Sequence, residues 1–306
     1  MRIAIMGAGG AGGCLGGLLA KANNDVSLIA RGEHLEAIRA NGLKLVRPDS
    51  EFVVQADATD DPAEVGPVDL VLYTVKTFQN RPVITTLKPL MGEETSVITL
   101  QNGVESHELL GAVLGPGNIL PGAYWASSHI QSPGIIVEDV PARISFGELD
   151  DTESLRALDI RKVFRDAGID TEISLDPLQV LWQKFIVLSA LSSITSAART
   201  RPKELLAFPD ARKMFCEAME EALAVGLAKG VSLSDNLPME SLEWIDSLPE
   251  FQVSMHGDFD AGRATELDAL SGAVIRLGKQ IGVKTPVHEF LYSVLLPHKD
   301  GRPSED

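Results

Sequence analysis

The feature that most constrains this chain is a change of hydrophobic rhythm about halfway along it. From Arg2 to about Glu148, short runs rich in β-branched residues alternate with helix-length segments: RIAIMG, DVSLIAR, VDLVLYTVK, TSVITLQN, then GNILPGAYW and ARISFGE. Strands spaced in this way call for crossover connections, so the pattern predicts repeated βαβ units and a parallel sheet. The stretch LRALDIRKVFRDAGIDTEIS reads as one more helix and strand, and from Pro177 onward apolar residues recur at helical spacing. The expected fold is therefore α/β, a parallel-sheet domain over residues 1–175 followed by a helical domain over 176–306. A length of 306 residues suits two cores of ordinary size.

One helical segment shows the pattern clearly. In DARKMFCEAMEEALAVGLAKG, Asp210 is expected to cap the N-terminus and Gly230 to end the helix. Met214, Phe215, Ala218, Met219, Ala222 and Leu223 then form a buried stripe, which needs no functional explanation.

Charge narrows the partners. The formal net charge of -16 disfavours attraction to a polyanionic backbone or an anionic bilayer, so neither nucleic acid nor membrane is an expected partner. An anionic ligand must be held by locally placed basic groups. Only Cys14 and Cys216 are present, without metal-type or redox-type spacing, which suits a reduced, cytoplasmic protein. The six histidines show no ligand-type grouping either, and no metal is assigned. The apolar N-terminus lacks a basic leader and is broken by glycines, so it reads as a first strand. FIVLSALSSITSAA is too short and too serine-rich to predict a membrane span. Apolar stripes in the second domain make a homodimer a reasonable expectation.

The opening MRIAIMGAGGAGG carries the first chemical signal. Gly7, Ala8, Gly9, Gly10, Ala11 and Gly12 fit G-x-G-x-x-G between a strand and a helical pattern. Gly7 permits the turn, Gly9 lets backbone amides approach a pyrophosphate, and Gly12 allows close packing of helix on strand. Gly10 and Gly13 read as extra room for packing. About 20 residues on, where a dinucleotide fold presents its ribose-recognising residue, the second strand delivers Arg31 and no acid at its tip. An arginine there pairs with a 2′-phosphate, which favours NADP over NAD. The competing reading makes Arg31 a solvated charge beside Glu33.

Further polar residues stand at predicted strand ends. Lys76 and Gln79 follow VDLVLYTV, and Gln101, Asn102 and Gly103 follow SVITL. Ligands of parallel sheets bind outside the carboxyl ends of the strands, although ordinary turns would also explain these residues. In the second domain, LWQKFIVLSALSSITSAA places Lys184 in a mostly apolar helix, with Leu188 and Ser192 on the same face. A lysine so placed is solvated at a cleft or paired, and burial suits it to proton donation; a lysine snorkelling to the surface is the alternative. The stretch FQVSMHGDFDAGRATELDALSGAV carries Ser254, Asp258, Arg263, Glu266 and Asp268, which residue chemistry alone leaves as a structural charge cluster.

In order and spacing, the glycine loop, Arg31, VKTFQ, LQNG, SPGII with FGE, LWQKF and SMHGDFDAGRATELDALSG resemble the ketopantoate reductase (2-dehydropantoate 2-reductase) family. The resemblance runs through nearly the whole chain. It implies an N-terminal Rossmann domain, an all-helical C-terminal domain and an active site in the cleft between them, where NADPH reduces a 2-oxo acid. In the pantothenate pathway the product is pantoate. By motif, Gly7 to Gly12, Arg31, Lys76, Asn102 and Ala126 belong to the cofactor. Lys184 matches the catalytic lysine, Ser254 the substrate-contacting serine, and Glu266 the acid near both cofactor and substrate.

The match departs from the family at two positions. Family members carry asparagines four and eight residues after the lysine, where this chain has Leu188 and Ser192. Leucine makes no hydrogen bond, so a 2-oxo acid or ketone with a less polar tail becomes an alternative substrate. A noncatalytic NADP sensor is a third reading, against which the retention of Lys184, Ser254 and Glu266 argues.

Overall fold

The structure, a computed structural model, describes residues 1–302, and its contacts divide the chain into two compact units. The first comprises Met1–Gln101 and Glu105–Val180; the second comprises Asn102–Val104 and Leu181–Asp306. The division crosses the long helix that starts at Pro177, close to the expected border after residue 175.

The first unit contains strands β1 (Arg2–Met6), β2 (Asp25–Ile29), β3 (Leu43–Arg47), β4 (Ser50–Val54), β5 (Asp57–Thr59), β6 (Val68–Tyr73), β7 (Met91–Thr99), β8 (Ile119–Ser132), β9 (Ile135–Phe146) and β10 (Asp170–Ile173). Its helices are α1 (Gly10–Lys21), α2 (Gly32–Asn41), α3 (Pro62–Val65), α4 (Asn80–Val83), α5 (Ser106–Leu114) and α6 (Leu155–Asp166). The sheet runs β4-β3-β9-β8-β7-β6-β1-β2-β5, with β10 beside β9. Around β1 every pairing is parallel, as the crossover pattern requires. Ile3 and Ile5 pack with Leu15 and Leu28 on one side, whereas Ala4 and Met6 pack with Val71 and Tyr73 on the other. Both faces are buried, which is why these strands read as continuous apolar runs.

Two pairings depart from the expected parallel sheet. β8 and β9 form an antiparallel hairpin turning at Gly134, and β3 pairs antiparallel with β4. No helix-length segment lies between the members of either pair, so a crossover is unavailable to them.

The second unit holds most of α7 (Pro177–Ala198), then α8 (Pro202–Leu206), α9 (Pro209–Ala228), α10 (Leu237–Ser247), α11 (Ser254–Asp260), α12 (Ser271–Ile281) and α13 (Pro286–Leu295). Among the described residues its regular elements are helices, with one isolated bridge between Ala264 and Asp300. α7 is longer than its apolar core suggests: by length and composition alone its 22 residues would reach across a bilayer. However, 67% of its most apolar window is buried within the fold, the behaviour of a core helix.

Asp210 does not cap α9. The helix starts at Pro209 with Phe208 at the cap, and Asp210 lies in the first turn, because proline's fixed φ suits it to the first helical position. Gly230 does follow the helix end, at φ +84, where the amide of Val231 reaches back to the Gly226 carbonyl at 3.1 Å. Within the expected stripe Phe215, Ala218, Met219, Ala222 and Leu223 are buried, but Met214 is exposed.

Candidate functional site

In the first unit the glycine loop lies where the strand order reverses: β2 extends the sheet to one side of β1 and β6 to the other. A crevice opens at such a point, beyond the carboxyl ends of the strands. The amides of Gly7 and Ala8 donate to the Ile29 carbonyl at 3.2 and 2.9 Å, and Thr74 Oγ1 donates to the Gly7 carbonyl at 2.9 Å. Gly7 adopts φ +99, which disfavours any side chain. A Cβ on Gly12 would lie 2.3 Å from the Gly7 carbonyl oxygen, so α1 approaches the loop as closely as glycine permits.

Gly9 differs from these neighbours, since a Cβ there would meet nothing within 4 Å. Open space thus faces the loop beside the start of α1, whose first turn holds no acid. The first amides of a helix lack carbonyl partners of their own and carry the positive end of its dipole. Together these features fit an anionic group such as a pyrophosphate. Gly10 and Gly13 are packing positions: a Cβ would meet the Ser128 carbonyl at 2.5 Å and the Ile136 side chain at 2.9 Å, respectively.

Arg31 caps α2 just beyond β2, is exposed, and forms no ion pair with Glu33. Lys76 precedes a short 3-10 turn after β6 and Gln79 ends it, and both are half-buried. Ala126 lies on β8 where the register with β9 slips between Trp125 and Ser127, an irregularity that re-aims the strand locally.

In the second unit the structure brings three of the expected site residues into one chain of hydrogen bonds. Lys184 Nζ donates to Asn102 Oδ1 at 3.0 Å, and Asn102 Nδ2 donates to Glu266 Oε2 at 3.1 Å. Asn102 therefore turns its oxygen to the cation and its amide group to the carboxylate. The next residue fixes that turn: Gly103 has φ +92, and a Cβ on it would lie 3.0 Å from the Ala269 carbonyl oxygen. Glu266 is buried at 4% exposure. Desolvation lowers the pKa of Lys184 to about 8, with the negative charge of Glu266 opposing the shift. Lys184 is thus still mainly an ammonium at neutral pH, and it releases a proton more readily than an ordinary lysine.

The remaining expected site residues are placed differently. Leu188 is half-buried one turn beyond Lys184. Ser192 is fully buried, and its Oγ has no hydrogen-bond partner among the described residues. Ser254 begins α11, exposed and without a hydrogen bond to Lys184, Asn102 or Glu266. His256 instead pairs within its own helix, Nε2 to Asp260 Oδ2 at 3.1 Å.

Sequence reading placed Gln101 at a strand end without its structural role, and missed His34 altogether. Gln101 is buried, and its Nε2 donates to the Val75 carbonyl and to Asn80 Oδ1, both at 2.7 Å, tying the ends of β6 and β7 together. His34 bridges the Ala8 carbonyl and the Gly134 amide. A histidine three residues after Arg31 was the available signal, but its partners lie 26 and 100 residues away in the chain.

A Rossmann-type unit and a helical unit bearing a lysine–amide–carboxylate array define the class of the protein. Residues 3–151 match the family model described as Ketopantoate reductase PanE/ApbA, and residues 176–299 match its C-terminal counterpart. A 2-dehydropantoate 2-reductase of Mesorhizobium japonicum is 31% identical, over 94% of this chain and 94% of that protein. Among solved structures, 2-dehydropantoate 2-reductase from Geobacter metallireducens is 31% identical with a TM-score of 0.91, covering 97% of this chain and 99% of that one. A PanE/ApbA family ketopantoate reductase from Ralstonia eutropha is 28% identical, also with a TM-score of 0.91, over 98% of both chains. The chain belongs to the ketopantoate reductase family of oxidoreductases.

Proposed function

We propose that this protein catalyses the NADPH-dependent reduction of 2-dehydropantoate to pantoate, with Lys184 as the proton donor. The observation that carries the proposal is the Lys184–Asn102–Glu266 array, in which a desolvated ammonium is aimed by an amide that a buried carboxylate holds. When bound, NADPH supplies the hydride. Negative charge then grows on the substrate's carbonyl oxygen, where the Lys184 ammonium stabilises it and delivers a proton. Glu266 orients Asn102 and keeps the array electrically balanced. Ser254 and Ser192 are assigned to the substrate, Ser192 from the helix that carries Lys184.

For the cofactor, Gly7, Ala8, Gly9, Gly10, Ala11 and Gly12 present the pyrophosphate cradle, an assignment supported by the open ground at Gly9. Arg31 takes the 2′-phosphate, which its exposed place just beyond β2 supports. Lys76, Gln79, Asn102, Ala126 and Glu266 complete the cofactor set.

One observation favours a second reading of the substrate. Leu188 offers no hydrogen bond, and Ser192 Oγ is buried away from solvent. The leucine suits a 2-oxo acid or ketone with a tail less polar than that of ketopantoate.

The test follows NADPH oxidation with ketopantoate and a panel of 2-oxo acids, alongside direct binding of NADPH and NADH. Efficient turnover of ketopantoate is expected, and preference for an apolar 2-oxo acid would replace the substrate assignment. The variant Arg31→Ala is expected to weaken NADPH binding about tenfold, or ~1.4 kcal/mol, while leaving NADH binding unchanged. Equal losses for both dinucleotides would remove Arg31 from the 2′-phosphate.

A further inference from the structure

His34 connects three segments of the first unit through one ring. The backbone amide of Gly134, in the turn between β8 and β9, donates to His34 Nδ1 at 3.0 Å. That nitrogen must be an acceptor, so the ring proton resides on Nε2 and is donated to the Ala8 carbonyl at 2.9 Å. Burial lowers the His34 pKa below its ordinary value, which favours this neutral form. A protonated ring would present an N–H to the Gly134 amide and lose that bond.

The position of the clamp gives it a consequence for ligands. Ala8 is held at both ends of its backbone, its amide on Ile29 and its carbonyl on His34. Its carbonyl belongs to the peptide unit that leads into Gly9, the open position of the loop. On α2, His34 lies one turn after Arg31. The turn of helix that carries the 2′-phosphate candidate therefore also grips the pyrophosphate loop, so one ring sets the spacing between two anion-recognising points.

We propose that His34 is a positioning residue for the dinucleotide, acting as a neutral double hydrogen-bonding strut on the glycine loop rather than as a phosphate-binding cation. The proposal rests on the cofactor reading above. It explains why a histidine suits this position: the ring offers a donor and an acceptor at opposite ends of a rigid frame. Lysine and arginine offer donors alone.

Three full-length variants separate the two halves of the strut. The amide nitrogen of glutamine in His34→Gln stands in for Nε2 and donates to Ala8. The amide oxygen of asparagine in His34→Asn stands in for Nδ1 and accepts from Gly134. His34→Ala removes both. Fluorescence titration of each with NADPH and with NADH is expected to show about tenfold weaker binding for alanine. The loss should be similar for the two dinucleotides, because the pyrophosphate is common to both, and glutamine should restore more than asparagine. At saturating dinucleotide kcat should change little. Hydrogen exchange of the free proteins supplies an independent readout, with the Gly9–Gly12 amides exchanging faster in His34→Ala and slower again in His34→Gln.

Unchanged binding in His34→Ala would overturn the proposal, as would unchanged exchange at the loop. A loss confined to NADPH would also overturn it, by making His34 part of the 2′-phosphate site. If the wild-type protein binds neither dinucleotide, the cofactor reading fails and the positioning role fails with it; wild-type binding with an indifferent His34 variant sinks the positioning role alone.

Discussion

The glycine loop of the first unit and the lysine helix of the second are built from opposite materials. The loop offers backbone: what matters there is the absence of side chains, at Gly12 so that α1 can pack and at Gly9 so that ground stays open. The lysine array offers side chains, and Lys184, Asn102 and Glu266 come from positions 102, 184 and 266 of the chain. A loop of consecutive residues is encoded locally, and at Gly12 it leaves no room for a side chain. An array assembled from three distant segments depends on the whole unit, and its chemistry is concentrated in one titrating group.

Substitutions should expose that contrast, the largest at the lysine. Lys184→Ala is expected to lower turnover by about 10²- to 10⁴-fold, the usual worth of a positioned proton donor, with dinucleotide binding nearly unchanged. Steady-state kinetics and a binding titration read the two quantities separately. Turnover near the wild-type level would remove Lys184 from the chemistry.

The same group sets an expected pH limb. If the ammonium is the donor, as proposed, then with its pKa at about 8 the reduction rate should fall about tenfold per pH unit above that value. Stability should move the other way. The folded pKa lies below the ordinary 10.5, so between about 8 and 10.5 the unfolded chain binds more protons than the folded one. The Lys184 contribution to stability therefore rises with pH across that window and is constant below it. Urea titrations of the wild type and Lys184→Met at several pH values check this, since the variant should lose that slope.

At the loop, two alanines separate packing from binding. Gly12→Ala places a Cβ 2.3 Å from backbone and should cost about 1–3 kcal/mol of stability together with dinucleotide affinity. Gly9→Ala meets nothing, so stability should hold while affinity falls about tenfold, roughly 1.4 kcal/mol. Comparable destabilisation in both variants would mean that Gly9 is a packing position as well.

The smallest effect belongs to Ser192. Its buried Oγ has no hydrogen-bond partner among the described residues, so Ser192→Ala should change stability by no more than about 0.5 kcal/mol, or raise it. A larger loss in denaturant midpoint would reveal a partner bound in solution.

Legibility differed in the same way between the two regions. The strands around β1 were readable because burial on both faces writes an apolar run directly into the sequence, and Gly10 and Gly13 were readable as packing positions from their place after the motif. The β8–β9 hairpin was read as parallel because periodicity identifies a strand without its direction. Met214 fell outside its stripe, since helical spacing marks a face but not its edges. Asn102 could be tied to a strand end from sequence, yet its link to Lys184 and Glu266 could not. Nor could the grip of His34 on Ala8, whose bonds close only when α2, the loop and the hairpin turn meet.

By itself the sequence determined what short-range physics controls: an α/β unit followed by helices, a glycine loop shaped by the lack of Cβ atoms, and a lysine in an apolar helix. Tertiary structure alone decided which polar atoms meet. Hydrogen bonding and desolvation depend on distances of a few ångströms between residues far apart in the chain, and no local pattern carries those distances. That is why Lys184 was a lysine of interest in the sequence and becomes, in the fold, an ammonium with a pKa of about 8 held by Asn102.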